Sequence, residues 1–166
     1  MVYVIIVFLA VVFFFVVALK LKAGGAGSKA APDAYYLRKS LFTAAERSFY
    51  GVLISLQLQG LTVVSKVRLA DVFGVKKGLG SGDRQRAQNR INAKHVDFLL
   101  LADSDGRPVL GIELDDKSHE EEARIVRDAF VDTVFASAGL PILHVPAKRA
   151  YDPRELRALV EKAIVI

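Results

Sequence analysis

The chain has 166 residues, carries 23 Lys and Arg against 18 Asp and Glu, and contains no cysteine. That length accommodates one domain of ordinary size and a short appendage. The missing cysteines exclude disulfides and thiolate metal sites, a composition that fits a reducing compartment.

Residues 2–19, VYVIIVFLAVVFFFVVAL, carry no charge and account for much of the 52% hydrophobic content. About 18 apolar residues at a rise of 1.5 Å reach roughly 27 Å, close to the hydrocarbon thickness of a bilayer. An N-terminal transmembrane helix over residues 1–19 is therefore expected. Lys20, Lys22 and Lys29 follow this run and no Lys or Arg precedes it. The positive-inside rule then places the C-terminal domain in the cytoplasm, as in a single-pass protein of the inner membrane. A cleaved signal peptide is the rival reading, with AGGAGSKAAP as the cleavage region, but the long run and the absent basic n-region weigh against it. Residues 20–37 read as a flexible tether, leaving 38–166 as the folded domain.

Three helix starts share one signature. Thr43 to Glu46, Ser118 to Glu121 and Asp152 to Glu155 each set a capping oxygen three residues before a Glu, the last with Pro153 at the first helical position. These predict helices over about 43–58, 119–138 and 153–164, the second stopped by Gly139. Between them lie β-branched runs at 61–73, 95–102, 107–115 and 140–146. The turn sequence DSDG joins the second and third runs into a hairpin. The order is helix, three strands, helix, strand, helix. It predicts an α/β sheet covered on both faces, with the last strand parallel to a hairpin strand through a helical crossover.

A hairpin turn centred on Asp105 pairs residues whose numbers sum to about 210, which sets Asp97 opposite Glu113. Asp115 follows two residues later on the same face. A carboxylate inside runs as apolar as HVDFLLL and VLGIEL is costly to desolvate unless paired, and two facing acids repel. A cation is the natural third party. Oxygen ligands without a Cys or His cluster favour Mg²⁺ or Mn²⁺, with Asp97, Glu113 and Asp115 as candidate metal ligands. Exposed acids at a strand end are the plain alternative for Asp115 and Asp116.

Residues 20–95 hold 14 Lys and Arg against 4 Asp and Glu, a net +10, whereas 96–166 hold 9 against 14, a net −5. The basic part includes KKGLGSGDRQRAQNRINAK at 76–94, a Gly-hinged segment and a short basic helix suited to tracking phosphates. With almost no aromatic residues there, base stacking is not indicated. Anionic lipid headgroups are a second partner of the same chemistry. GLGSG lacks a following GK[ST] and is no phosphate loop.

The element order, with an acid on the second strand and E-x-D on the third, resembles the restriction-endonuclease-like nucleases of the PD-(D/E)XK superfamily. The segments LFTAAERSFYGVL, VVSKVRLADVF, KHVDFLLL, GIELDDKSH, RDAFVD and GLPILHVPAKRAYDPREL resemble a bacterial domain family of unknown function placed in that superfamily and related to very-short-patch-repair-like endonucleases. The resemblance covers about residues 38–160. It implies a restriction-endonuclease-like core (helix, three-strand mixed sheet, helix, strand, helix) behind the transmembrane helix. It also implies that Asp97 and Glu113 hold the divalent ion that activates water and stabilises phosphorane charge. Glu46 joins them by the same resemblance, while also completing a capping box. The superfamily's lysine falls at position 115, where this chain has Asp. Lys66, Lys94 or Lys117 is then needed in its place, and Lys66, on the adjacent strand, is the nominee. His119, just after the third strand, corresponds to a histidine that assists catalysis in the repair-type nucleases. The expected function is a membrane-anchored, Mg²⁺- or Mn²⁺-dependent phosphodiester hydrolase acting on DNA or RNA, with no small-molecule cofactor. The alternative is a catalytically silent nuclease-like domain that binds nucleic acid or docks protein at the membrane.

Overall fold

The computed structural model describes residues 34–115 and 121–164, together with 3, 6, 8, 12–15 and 17. The chain divides into two units, Met1–Lys39 and Ser40–Ile166. In the first unit the described residues up to 17 are helical. A transmembrane helix needs about 20 consecutive apolar residues, and no helix among the described residues is long and apolar enough to cross a membrane. This corrects the expected N-terminal transmembrane helix. The inner-membrane location and the membrane contact inferred from it lose their support as well. Most of the apolar run and of the expected tether lies outside the described residues.

The second unit runs α1 (Ala44–Ser55), β1 (Leu61–Arg68), α2 (Leu69–Val72), α3 (Ser81–Asn92), β2 (His95–Ala102), β3 (Pro108–Asp115), α4 (Glu121–Ala138), β4 (Ile142–Pro146) and α5 (Pro153–Ile164). It is a mixed α/β domain on a four-stranded sheet ordered β1-β2-β3-β4. The first three strands are antiparallel neighbours, and β4 lies parallel to β3. A parallel neighbour requires a crossover, which α4 provides.

Local chemistry fixes the ends of these elements. Glu46 N–H donates to Thr43 Oγ1 at 3.2 Å and Thr43 N–H donates back to Glu46 Oε2 at 2.9 Å, a complete capping box on α1. Asp152 Oδ1 accepts from the amides of Arg154 and Glu155 at 2.7 and 3.2 Å and caps α5. Ser118, the expected cap of α4, lies outside the described residues. The hairpin turns through Gly106 at φ +71°, left-handed backbone that glycine adopts without steric cost. Its register pairs Phe98 with Ile112, Leu99 with Gly111 and Leu100 with Leu110, the pairing expected from a turn centred on Asp105. The strand expected over 61–73 ends at Arg68 instead. Leu69, Val72 and Phe73 are spaced for one helical face and all pack into the second core, and the Leu69 amide donates to the Lys94 carbonyl at 2.9 Å.

The side chains of the sheet divide between two cores. Phe49, Leu53 and Leu56 of α1 and Leu156 and Val160 of α5 pack with Phe98, Leu100, Leu110, Ile112 and Val145 of the sheet. On the other side, Leu69, Ile91, Val131 and Phe135 of the remaining helices pack with Val96 and Leu99. Arg157 of α5 also donates to the Leu56 carbonyl that ends α1.

Gly111 marks a close approach of α4 to the sheet. A Cβ there would sit 2.3 Å from Phe135 Cε1 and 2.6 Å from Cζ, and that ring is fully buried and packs edge-on against Phe73 at 4.8 Å. Gly111→Ala should therefore destabilise the fold by about 1–3 kcal/mol through overpacking. Urea unfolding measures this as a lower midpoint at unchanged slope, and an unchanged midpoint would contradict the packing described.

Candidate functional site

Three charged side chains meet at one end of the sheet. Lys66 Nζ of β1 lies 2.5 Å from Glu46 Oε1 of α1 and 3.0 Å from Asp97 Oδ1 of β2. The side chains of Lys66, Glu46 and Asp97 retain only 20%, 12% and 14% of their exposure. Each carboxylate is anchored through its second oxygen by a backbone amide, Glu46 Oε2 by Thr43 N–H at 2.9 Å and Asp97 Oδ2 by Leu114 N–H at 3.1 Å. Glu46 thus serves its capping box with one oxygen and the charged cluster with the other.

Lys66 reaches this position through unusual backbone. It has φ +55° inside β1, and the ladder to β2 pairs Ser65 with Phe98 and Val67 with Val96 on either side of it. Left-handed backbone costs a residue with a side chain about 1–2 kcal/mol and persists only where surrounding contacts fix it. Burial of the ammonium, which alone lowers its pKa, is outweighed by hydrogen bonds to Glu46 and Asp97 and by their charge. The pKa is raised above the ordinary lysine value, so Lys66 is cationic at neutral pH. Two carboxylates around one ammonium leave the cluster with a surplus negative charge.

A second cluster lies on β3, β4 and α4. His144 Nδ1 is 3.2 Å from Asp115 Oδ1, and its Nε2 is 2.9 Å from Asp132 Oδ1. Both neighbours are carboxylates, and when the ring is protonated both of its nitrogens donate to them. Burial, which alone lowers the imidazole pKa, is overridden by the hydrogen bonds to Asp132 and Asp115 and by their charges, and the pKa is raised. Sequence reasoning missed His144 and Asp132. A histidine inside the apolar run LPILHVP was the available signal, of the same kind that singled out Asp97.

Glu46, Lys66 and Asp97 are thus brought together, and Asp115 is brought instead to His144. Glu113 is half-buried on β3 and is the register partner of His144. The hairpin ladder is paired as far as Phe98 and Ile112, the residues next to Asp97 and Glu113 in the chain. Lys94 lies over the Phe130 ring at 5.7 Å, alongside Arg90 at 4.0 Å. Lys117, His119 and Asp116 lie outside the described residues. The donors at the first cluster are oxygens, as Mg²⁺ or Mn²⁺ requires, and the Lys66 ammonium already stands there as a cation. Among the described residues no group of three or more His, Cys, Asp and Glu side chains could hold a metal ion. An ion that keeps several waters, as Mg²⁺ commonly does, needs only one or two protein carboxylates.

Fold and site together define a mixed α/β domain with an acidic centre built around a strand lysine. The profile of a family described as "Protein of unknown function (DUF2726)" matches residues 38–164, and the chain belongs to that family. It is also 33% identical over 118 residues to "Uncharacterized protein y4bI" of Sinorhizobium fredii (strain NBRC 101917 / NGR234), a match covering 71% of this chain and 78% of that protein. No solved structure matches.

The raised His144 pKa has a defined consequence for stability. A group whose pKa is higher folded than unfolded stabilises fully below its unfolded value, about 6.5 for histidine, and loses that contribution as pH rises through the folded value. In EDTA, the melting-temperature gap between the parent and His144→Gln should be level from about pH 5.5 to 6.5 and narrow from there towards pH 9. A gap independent of pH over that range would show that the imidazolium is not held as described.

Proposed function

We propose that this domain is a divalent-metal-dependent phosphodiester hydrolase of the restriction-endonuclease-like kind, acting on DNA or RNA. The observation that carries the reading is Lys66, strained in left-handed backbone and held by two anchored carboxylates. A fold stabilised only by its two apolar cores has no need of this arrangement. Replacing a buried ion network by apolar side chains is often neutral or stabilising, so its retention calls for another role.

In this reading Asp97 and Glu113 would hold the ion, which would supply Lewis-acid stabilisation of charge at phosphorus. Lys66 provides the positive charge that the superfamily takes from position 115. When a phosphodiester enters, the ammonium gives up one carboxylate partner and donates to a non-bridging phosphate oxygen. Glu46 then keeps it aimed, since its own position is set by the α1 cap. Asp115, drawn to His144, closes the neighbouring end of β3 and β4.

Asp115 also supports a second reading, a catalytically silent nuclease-like domain that binds nucleic acid or docks protein. Its carboxylate stands where the superfamily's lysine is expected, and Lys66 is fully engaged by Glu46 and Asp97 in this structure. The two readings separate in one assay. The full chain, incubated with Mn²⁺ or Mg²⁺ and labelled single- and double-stranded DNA and RNA, should cleave at least one of them. The double variant Asp97→Asn with Glu113→Gln should cleave at least about 100-fold more slowly while keeping its circular dichroism spectrum. Binding without cleavage by the parent would overturn the hydrolase and leave the silent domain.

A further inference from the structure

The loop between β4 and α5 carries two exposed cations on fixed backbone. Ala147 N–H donates to the Asp115 carbonyl at 2.8 Å, which fastens the loop to the end of β3. Ser48 Oγ donates to the Arg149 carbonyl at 3.1 Å, which fastens it to α1 two residues beyond Glu46. Within the loop the Tyr151 hydroxyl accepts from Lys148 N–H at 2.8 Å and donates to the Pro146 carbonyl at 3.4 Å. The Tyr151 ring packs edge-on against Phe49 with centroids 5.0 Å apart. The backbone is therefore held by both elements that frame the centre.

Lys148 and Arg149 themselves are exposed, and among the described residues neither is in an ion pair. Arg47, between Glu46 and Ser48 on α1, is a third exposed cation of this kind. Elsewhere some basic side chains are committed and others, such as Lys76, Lys77 and Arg84, are exposed as well. Arg68, Arg86, Arg107 and Arg157 pair with Asp71, Asp83, Asp105 and Glu161. On α3, the basic helix singled out in the sequence, Arg90 lies on Phe130 and Arg86 is bound to Asp83.

We propose that Lys148 and Arg149, with Arg47, form a phosphate-backbone clamp that seats a nucleic acid across the Glu46–Lys66–Asp97 centre. This deepens the hydrolase reading and rests on it. The chemistry is that of a polyphosphate backbone. An acidic centre repels a polyanion, so approach needs cations beside it, and cations on a pre-fixed loop bind at a low cost in loop ordering. The one aromatic ring of the loop is spent against Phe49, so bases are not stacked and the clamp reads no sequence.

The test is fluorescence anisotropy of labelled duplex DNA, duplex RNA and single strands with the full chain in EDTA, at several salt concentrations, beside the cleavage assay. Lys148→Ala with Arg149→Ala should weaken binding about 10-fold at moderate salt and flatten the slope of log affinity against log salt by about 1–2. Lys148→Arg with Arg149→Lys should restore both, since charge alone is required. Lys76→Ala with Lys77→Ala, on the segment before α3, should change the affinity less. A parent that binds and cleaves while the alanine pair keeps its affinity and salt slope would overturn the clamp and leave the hydrolase standing. A parent that neither binds nor cleaves any of the four would overturn both.

Discussion

The ammonium of Lys66 is the contact on which the functional end of this domain depends. It joins α1 to β1 and β2, and because Asp97 is anchored on the Leu114 amide it joins β3 as well. Each carboxylate spends one oxygen on a backbone amide and turns the other to the lysine, so neither is left to repel the other unscreened. Removing one member of a buried charge pair commonly costs about 3–5 kcal/mol, because the remaining charge stays desolvated. The cluster therefore acts as a unit, and its geometry is only as firm as the α1 cap and the hairpin register that position it.

The topology explains why these residues converge. Lys66 lies near the end of β1, Asp97 near the start of β2 and Glu113 near the end of β3. In antiparallel neighbours those positions fall at one edge of the sheet. The parallel return of β4 brings His144 and the Lys148–Arg149 loop to the same end, with α4 delivering Asp132 from above the second core. The two apolar cores fill the faces, and the charged groups collect where β3 and β4 leave the sheet. The surplus of carboxylates there gives a cation an electrostatic reason to bind.

Much of this was legible from residue patterns. The Thr43 and Asp152 caps, the hairpin register and the crossover to β4 each rest on short-range rules that tertiary packing did not override. The apolar run from Leu61 continues past the end of its strand at Arg68, because β-branched content cannot distinguish a strand from one helical turn when Leu69, Val72 and Phe73 suit both. Lys66 was reached through strand adjacency, but its left-handed backbone had no sequence signal, since lysine has no preference for that region. His144 and Asp132 escaped because they are 12 residues apart on different elements and meet only through the crossover. The run at 2–19 satisfies a hydropathy count, but no helix among the described residues is long and apolar enough to cross a membrane.

Single-turnover cleavage by Lys66→Met, with substrate affinity measured in parallel, decides whether this lysine takes part in catalysis. If Lys66 supplies the positive charge at the scissile phosphate, the rate constant should fall by about 10²–10³ while the dissociation constants for nucleic acid and for Mn²⁺ change little. A variant that folds and cleaves at the parental rate would contradict the account, and Lys66 would then be a strut between α1 and the sheet with no part in the chemistry.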